Sequence, residues 1–208
     1  MEWADSWHEA FRIELRAEAI SLAWRGWPVL PGTYPTGACC GGGSDAGNGV
    51  PAPAQPDWAD RLDSSPAERV TWWHGRPYTL LVATGLVLDV IEVSADLGWR
   101  TARALRLTDT PVPIAATPTG RWLFFTQSGT PLCEELAAHP DVVLHSTGSW
   151  VPLPPSPFPH GVVHWRVKPQ VCGWQLPPSA QLQDVLCEVL RHRAVEAGQS
   201  LAVAGRSS

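Results

Sequence analysis

Residues 78 to 94, YTLLVATGLVLDVIEVS, constrain the fold more than any other stretch of the chain. Tyr78–Ala83 and Leu86–Val93 are apolar runs rich in β-branched residues, and Thr84-Gly85 separates them with the length of a tight turn. Two strands are expected there. Side chains alternate across a strand, so residues share a face only at even separations. Asp89 and Glu92 are therefore expected on opposite faces, with Asp89 a polar partner for a helix. The same-face neighbour of Glu92 is Ser94. A two-metal site needs carboxylates that converge on one face, and this strand has the frame of such a site without its second acid. Glu92 is either a metal ligand or a solvent-facing strand residue.

The segments around this strand pair alternate in character. Residues 6 to 25 carry an apolar stripe of Trp7, Phe11, Leu15 and Leu22, which predicts a helix. Ser6 and Glu9 are placed as a capping box and Gly26 as a C-terminal cap. A short strand ending at Pro31-Gly32 follows. Residues 33 to 55 are rich in Gly, Pro, Ala and Ser and are expected to form a long, flexible loop. Ser65, Pro66 and Glu68 stand as N-cap, first helical residue and capping partner, opening a short helix that stops before Pro77. Ala95–Leu105 reads as a helix with Leu97, Thr101, Ala104 and Leu105 inward. Two strands, the second from Trp122 to Thr126, flank a turn at Pro118-Thr119-Gly120. A short helix over Leu132–Ala138 comes next, then strands at Val142–His145, Trp150–Leu153 and Val162–Val167. A last helix over residues 179–197 presents Leu182, Val185, Leu186, Val189 and Leu190. Strands and helices intersperse without regular βαβ alternation, which points to an α+β fold with a mixed sheet and flanking helices.

At 208 residues, with 44% hydrophobic and 17% charged residues, the chain is expected to be one domain, 1–208, with a real core. No apolar run reaches the ~18 residues that span a membrane, and the N-terminus lacks the basic and apolar regions of a secretory signal. A cytoplasmic protein is expected. The net charge of -5 supplies no global field for nucleic acid, although a local arginine-lined groove is compatible with it. Lys168 is the single lysine, so phosphate contacts would fall to arginine. The five cysteines are expected to be buried thiols, and the twelve tryptophans chiefly core residues.

Several segments occur in a particular order: AISLAWRGWPVLPG, PDWADRLDSSPAERVTWWHGRP, LLVATGLVLDVIEV, AATPTGRWLFF and VVLHSTGSWVPLPPSPFPHGVVHW. Across about residues 17 to 167 the chain resembles the bifunctional DNA primase/polymerase N-terminal (prim-pol) domain of the archaeo-eukaryotic primase superfamily. The resemblance implies a primase/polymerase-like sheet with an RRM-related core. It also implies template-directed nucleotidyl transfer in DNA replication, with two divalent ions, Mg²⁺ or Mn²⁺, and nucleoside triphosphate and DNA as ligands.

The family's metal ligands are a D-x-D pair and a later acid. Here these positions fall on Glu92 and Ser94, and on Val143, with Asp141 about 7 Å further along the strand. The histidine that contacts the triphosphate falls on Trp122 or Arg121, and Thr119, Gly120 and Arg121 become candidates to bind the nucleotide. Glu92, Ser94 and Trp122 are expected around one concavity, on a strand paired with Trp122–Thr126 and with Val142–His145. Cys39 and Cys40 are adjacent, without the C-x₂-C spacing or a following histidine of the zinc-knuckle insert that the family often carries, so no zinc is expected. His145, His160 and His164 have no metal spacing.

The expected function is thus a primase/polymerase-like domain, degenerate as a DNA primase or DNA polymerase. As a pseudoenzyme it would retain nucleotide or DNA binding at most, with weak Mg²⁺ or Mn²⁺ affinity through Glu92. Any priming role would need a separate helicase. The alternative is a non-catalytic scaffold on the same fold that binds a protein partner.

Overall fold

A computed structural model describes residues 2–33, 51–62, 64–73 and 79–204. In chain order the helices are α1 (Glu2–Trp24), α2 (Pro66–Thr71), α3 (Ala95–Leu107), α4 (Glu134–Ala137) and α5 (Ser179–Ala204), with a 3₁₀ turn at Trp58–Arg61. The strands are β1 (Val29–Gly32), β2 (Thr79–Ala83), β3 (Leu88–Ser94), β4 (Ile114–Ala116) and β5 (Arg121–Gln127). They continue with β6 (Val143–His145), β7 (Trp150–Pro152), β8 (Pro157–Phe158), β9 (Gly161–Val162) and β10 (His164–Val167).

The strands form a three-stranded sheet, β1-β2-β7, a five-stranded sheet, β10-β4-β5-β3-β6, and the β8-β9 ribbon. The class is α+β, as expected. All pairings among the described residues are antiparallel, so the sheets are antiparallel rather than mixed. Strand β3 lies between β5 and β6, as the resemblance implies.

Alternation along β3 and β5 divides the interior in two. Leu88, Val90, Leu123 and Phe125 face a core made with β2 and the α1 residues Leu15, Ala19 and Leu22. Ile91, Val93, Trp122 and Phe124 face a second core with Leu97 and Leu105 of α3 and Leu182 and Leu186 of α5. On this side α3 comes very close to the sheet: a Cβ on Gly98 would stand 2.7 Å from the Cβ of Trp122. The turn before β3 is as tight. Gly85 has a φ of +95°, and a Cβ there would sit 2.3 Å from the Cα of Thr147, so both conformation and space require glycine.

Helix α1 begins at Glu2, so Ser6 lies inside it and is not its cap; nothing in Glu2–Asp5 breaks a helix. Gly26 takes the left-handed conformation (φ +81°) just beyond its end. The Ser65 capping box is present in full: Ser65 Oγ accepts from the Glu68 amide, and Glu68 accepts from the Ser65 amide. Helix α5 continues through Gly198 to Ala204; helix formers on both sides outweigh the ~1 kcal/mol cost of an interior glycine. The expected strand Val162–Val167 splits at Val163, whose amide bonds Ser156 O instead.

Of the expected loop over 33–55, residues 34–50 lie outside the described residues, as do Cys39 and Cys40. Its far end is tied to β1: Thr33 donates to Ala52 O, Ala54 donates to Pro31 O, and Pro53 bridges Gly32. Cys172 and Cys187 are buried, but Cys133, at the start of α4, is exposed. The VPLPPS segment has a structural use that no spacing rule suggests. Buried Ser156 accepts from Leu80 N and donates to Leu80 O, 2.9 and 2.7 Å, satisfying the backbone of β2 from the side.

Candidate functional site

The candidate site lies where β3, β5 and β6 run side by side. In an antiparallel pair, residues directly opposite each other share a face. Glu92 lies opposite Leu123 on β5 and Val143 on β6, and Ser94 lies opposite Arg121. Glu92, Ser94, Arg121 and Val143 therefore project from the same face, beyond the end of the core formed by Leu88, Val90, Leu123 and Phe125. Val143 is 41% exposed, so this end of the face is open to solvent.

Trp122 is not part of the site. It lies opposite Val93, on the other side of the sheet, where it packs in the α3–α5 core. The expectation of Glu92, Ser94 and Trp122 around one concavity is corrected here: strand parity brings Arg121 to the Glu92 face and sends its neighbour away.

The half-buried carboxylate of Glu92 is fully engaged. Nε of Arg121 donates to Oε1 at 2.6 Å, and Nε2 of His145 donates to Oε2 at 2.8 Å. Arg121 also donates through Nη2 to Asp141 O at 3.1 Å, and Nδ1 of His145 lies 3.2 Å from Ser149 Oγ. Ser94 donates to Oδ2 of Asp141 at 3.3 Å. Its backbone caps α3, yet its hydroxyl makes no cap bond because it is turned toward Asp141. Burial by itself would raise the Glu92 pKa, but the hydrogen bonds and charges of His145 and Arg121 outweigh it and hold the carboxyl below its ordinary value.

The candidate turn spends its amides on itself. Gly120 (φ +77°) donates to Thr117 O, and the Arg121 amide donates to Thr117 Oγ1. Thr119 and Thr117 share a hydroxyl contact of 2.8 Å. Asp89 is buried on the far face and accepts from the Gly129 amide at 2.9 Å; its partner is a loop rather than a helix. His145 was not singled out by spacing. Only the β3–β6 register reveals it, because two residues beyond Val143 on β6 the side chain returns to the Glu92 face. His160 sits in the β8–β9 turn, and His164 opposes Ala116 on β4, away from this cluster.

These residues do not fit a pair of divalent ions. A guanidinium and an imidazole already occupy both oxygens of Glu92, Ser94 supplies a neutral oxygen, and Val143 supplies none. Among the described residues no group of three or more His, Cys, Asp or Glu could hold a metal.

The sign of the Glu92 shift makes a pH prediction. A carboxyl whose folded pKa is depressed stabilises the fold above its unfolded pKa, and that contribution is lost as pH falls through the folded value. Glu92→Gln should lower stability by about 2 kcal/mol at neutral pH, in the range for hydrogen bonds to charged groups. At a pH acid enough to protonate the folded carboxyl, below its depressed value, the variant and the parent should converge. Urea titrations at both pH values check this; equal losses at both would assign the effect to packing.

The model of the family described as bifunctional DNA primase/polymerase, N-terminal, matches residues 19–182. Comparison with curated proteins finds no match. No described helix is long and apolar enough to cross a membrane.

Proposed function

Because the chain belongs to the bifunctional DNA primase/polymerase N-terminal family, we propose that it is a catalytically degenerate member that retains nucleotide or DNA binding at most. The observation that carries this reading is the engagement of both Glu92 oxygens, by the Arg121 guanidinium and the His145 imidazole. Two divalent ions bring four positive charges, which the family's acids offset. In this chain the one carboxylate at those positions is already paired with the Arg121 guanidinium and hydrogen-bonded to the His145 imidazole. Any Mg²⁺ or Mn²⁺ would be held weakly, mainly by the triphosphate.

A triphosphate would be met by the donors of Arg121 not engaged with Glu92 and Asp141, beside the hydroxyl of Thr119 and the Gly120 turn. Arginine suits this role because its planar fork can serve a carboxylate and a phosphate together. A cytoplasmic location and an accessory place in DNA replication belong to the same proposal.

Isothermal titration with a nucleoside triphosphate tests it. Binding should be indifferent to Mg²⁺ and Mn²⁺ and should be lost in Arg121→Ala. Template-dependent primer extension by the parent chain, abolished by Glu92→Ala, would overturn the reading and make this a working polymerase with an unfamiliar ligand set. No heat with any metal would remove the nucleotide and leave a second reading, a scaffold for a protein partner. Trp24 and Trp99, which stand 66% and 53% exposed, support that second reading.

A further inference from the structure

On the face of the five-stranded sheet opposite Glu92, a groove of about 500 Å³ runs between α3 and the strand β10. Arg103 and Arg106 line it from the helix and Arg166 from the strand, with Trp99 and Trp122 beside them. Among the described residues no carboxylate pairs with any of these three arginines, whereas Arg61, Arg121, Arg191 and Arg193 each have one. Acidic residues outnumber basic ones, 20 to 15, so three uncompensated guanidiniums on one groove are a local feature. Two of them are oriented by tryptophan faces: Arg103 lies 5.9 Å from the Trp99 ring and Arg166 5.0 Å from Trp122, within cation–π range.

The groove continues into a second depression with an apolar floor of Leu105, Val112 and Ile114, where Asp109 is the one acid on the lining. Strand β10 is the outermost of its sheet and pairs with β4 alone among the described residues, so its other edge is a template for an added strand.

We propose that this groove binds an extended acidic segment of a protein partner, laid along β10 as an additional strand with its carboxylates on Arg103, Arg106 and Arg166. Main-chain bonds to the edge would supply affinity, while the arginines and the apolar floor would select an acidic strand with apolar residues alternating. A nucleic-acid strand fits less well. Base stacking needs successive exposed rings, but Trp122 is only 8% exposed and Trp165 packs against Trp27 and Phe125 in the core. Trp99 alone is free to stack. The proposal is independent of nucleotide binding on the Glu92 face.

The test uses the full chain and a short fluorescein-labelled peptide of alternating glutamate and valine, followed by anisotropy. The peptide should bind, and a lysine–valine counterpart should not. Arg103→Glu with Arg166→Glu should weaken binding by about tenfold or more, as for charge pairs across an interface, and should allow the lysine–valine peptide to bind. Arg12→Glu, a charge reversal on the exposed side of α1, should change nothing. Circular dichroism establishes that the double variant is folded; if it is not, Arg103→Ala and Arg166→Ala measured singly should each weaken binding. The proposal is overturned if the glutamate–valine peptide does not bind or binds equally to the charge-reversed or alanine variants. It is also overturned if oligothymidylate displaces the peptide from the parent chain, which would make the groove a nucleic-acid site.

Discussion

Ser94→Asp combined with Val143→Asp should raise Mn²⁺ affinity on the order of tenfold or more, since charge count is a main determinant of divalent-ion binding. Ser94 lies two residues from Glu92 on the same face of β3, and Val143 lies directly across from Glu92 on β6. The double variant would thus converge three carboxylates on one open end of the sheet, with Asp141 hydrogen-bonded to residue 94 in the parent chain. Repulsion among these acids favours any cation that enters. The parent chain should show no primer synthesis or extension above background in either Mg²⁺ or Mn²⁺. Loss of one well-placed catalytic interaction commonly costs ~10²–10³ in rate, and on the proposed reading more than one is absent. Paramagnetic relaxation by Mn²⁺ provides the binding measurement; an unchanged affinity in the double variant would mean that the frame does not assemble a site.

Phe125→Ala should cost about 3–5 kcal/mol, the usual range for emptying a buried aromatic position. Phe125 is fully buried, its ring 5.5 Å from that of Trp27 and 5.4 Å from that of Trp165. It therefore joins the five-stranded sheet to the chain just beyond α1. For a domain whose total stability is of order 5–15 kcal/mol, the variant should be partly unfolded at modest urea concentrations. Val143→Ala, at an exposed position of β6, should stay within about 0.5 kcal/mol of the parent. Urea titrations of both variants make the comparison. A loss below about 1 kcal/mol for Phe125→Ala would mean that the two layers are joined elsewhere.

The period of two along β3 was enough to place Glu92 with Ser94 and to separate both from Asp89, because parity within one strand needs no tertiary information. The cap at Ser65 was equally legible, since its partner Glu68 is three residues away. Parity between strands was not. Whether residue 121 or 122 joins Glu92 depends on the β3–β5 register, a pairing made across α3 and β4, and a slip of one residue exchanges the faces. His145 was hidden for the same reason: its partner Glu92 lies 53 positions away, and no local pattern marks it. Ser156 is a third case, a small polar residue in a proline-rich loop whose use appears only when Leu80 is placed beside it. Local chemistry carried the secondary structure and half of the site; the remainder depends on pairings between distant segments.

The contact between Gly98 and Trp122 bears on how the two faces can change. With no side chain at residue 98, α3 rests on the first atoms of the Trp122 side chain, next to the residue that carries the Glu92 ion pair. The start of the helix is fastened to the same place, since the Ala95 amide donates to Gly120 O. There is no compressible layer between helix and strand to absorb a displacement. A substitution that lifts α3 by a few tenths of an ångström must bend β5 at Arg121 or tear the helix start from the turn. The groove on one side and the carboxylate cluster on the other are thus two surfaces of one thin wall, and neither can be reshaped at this point while the other stays as it is.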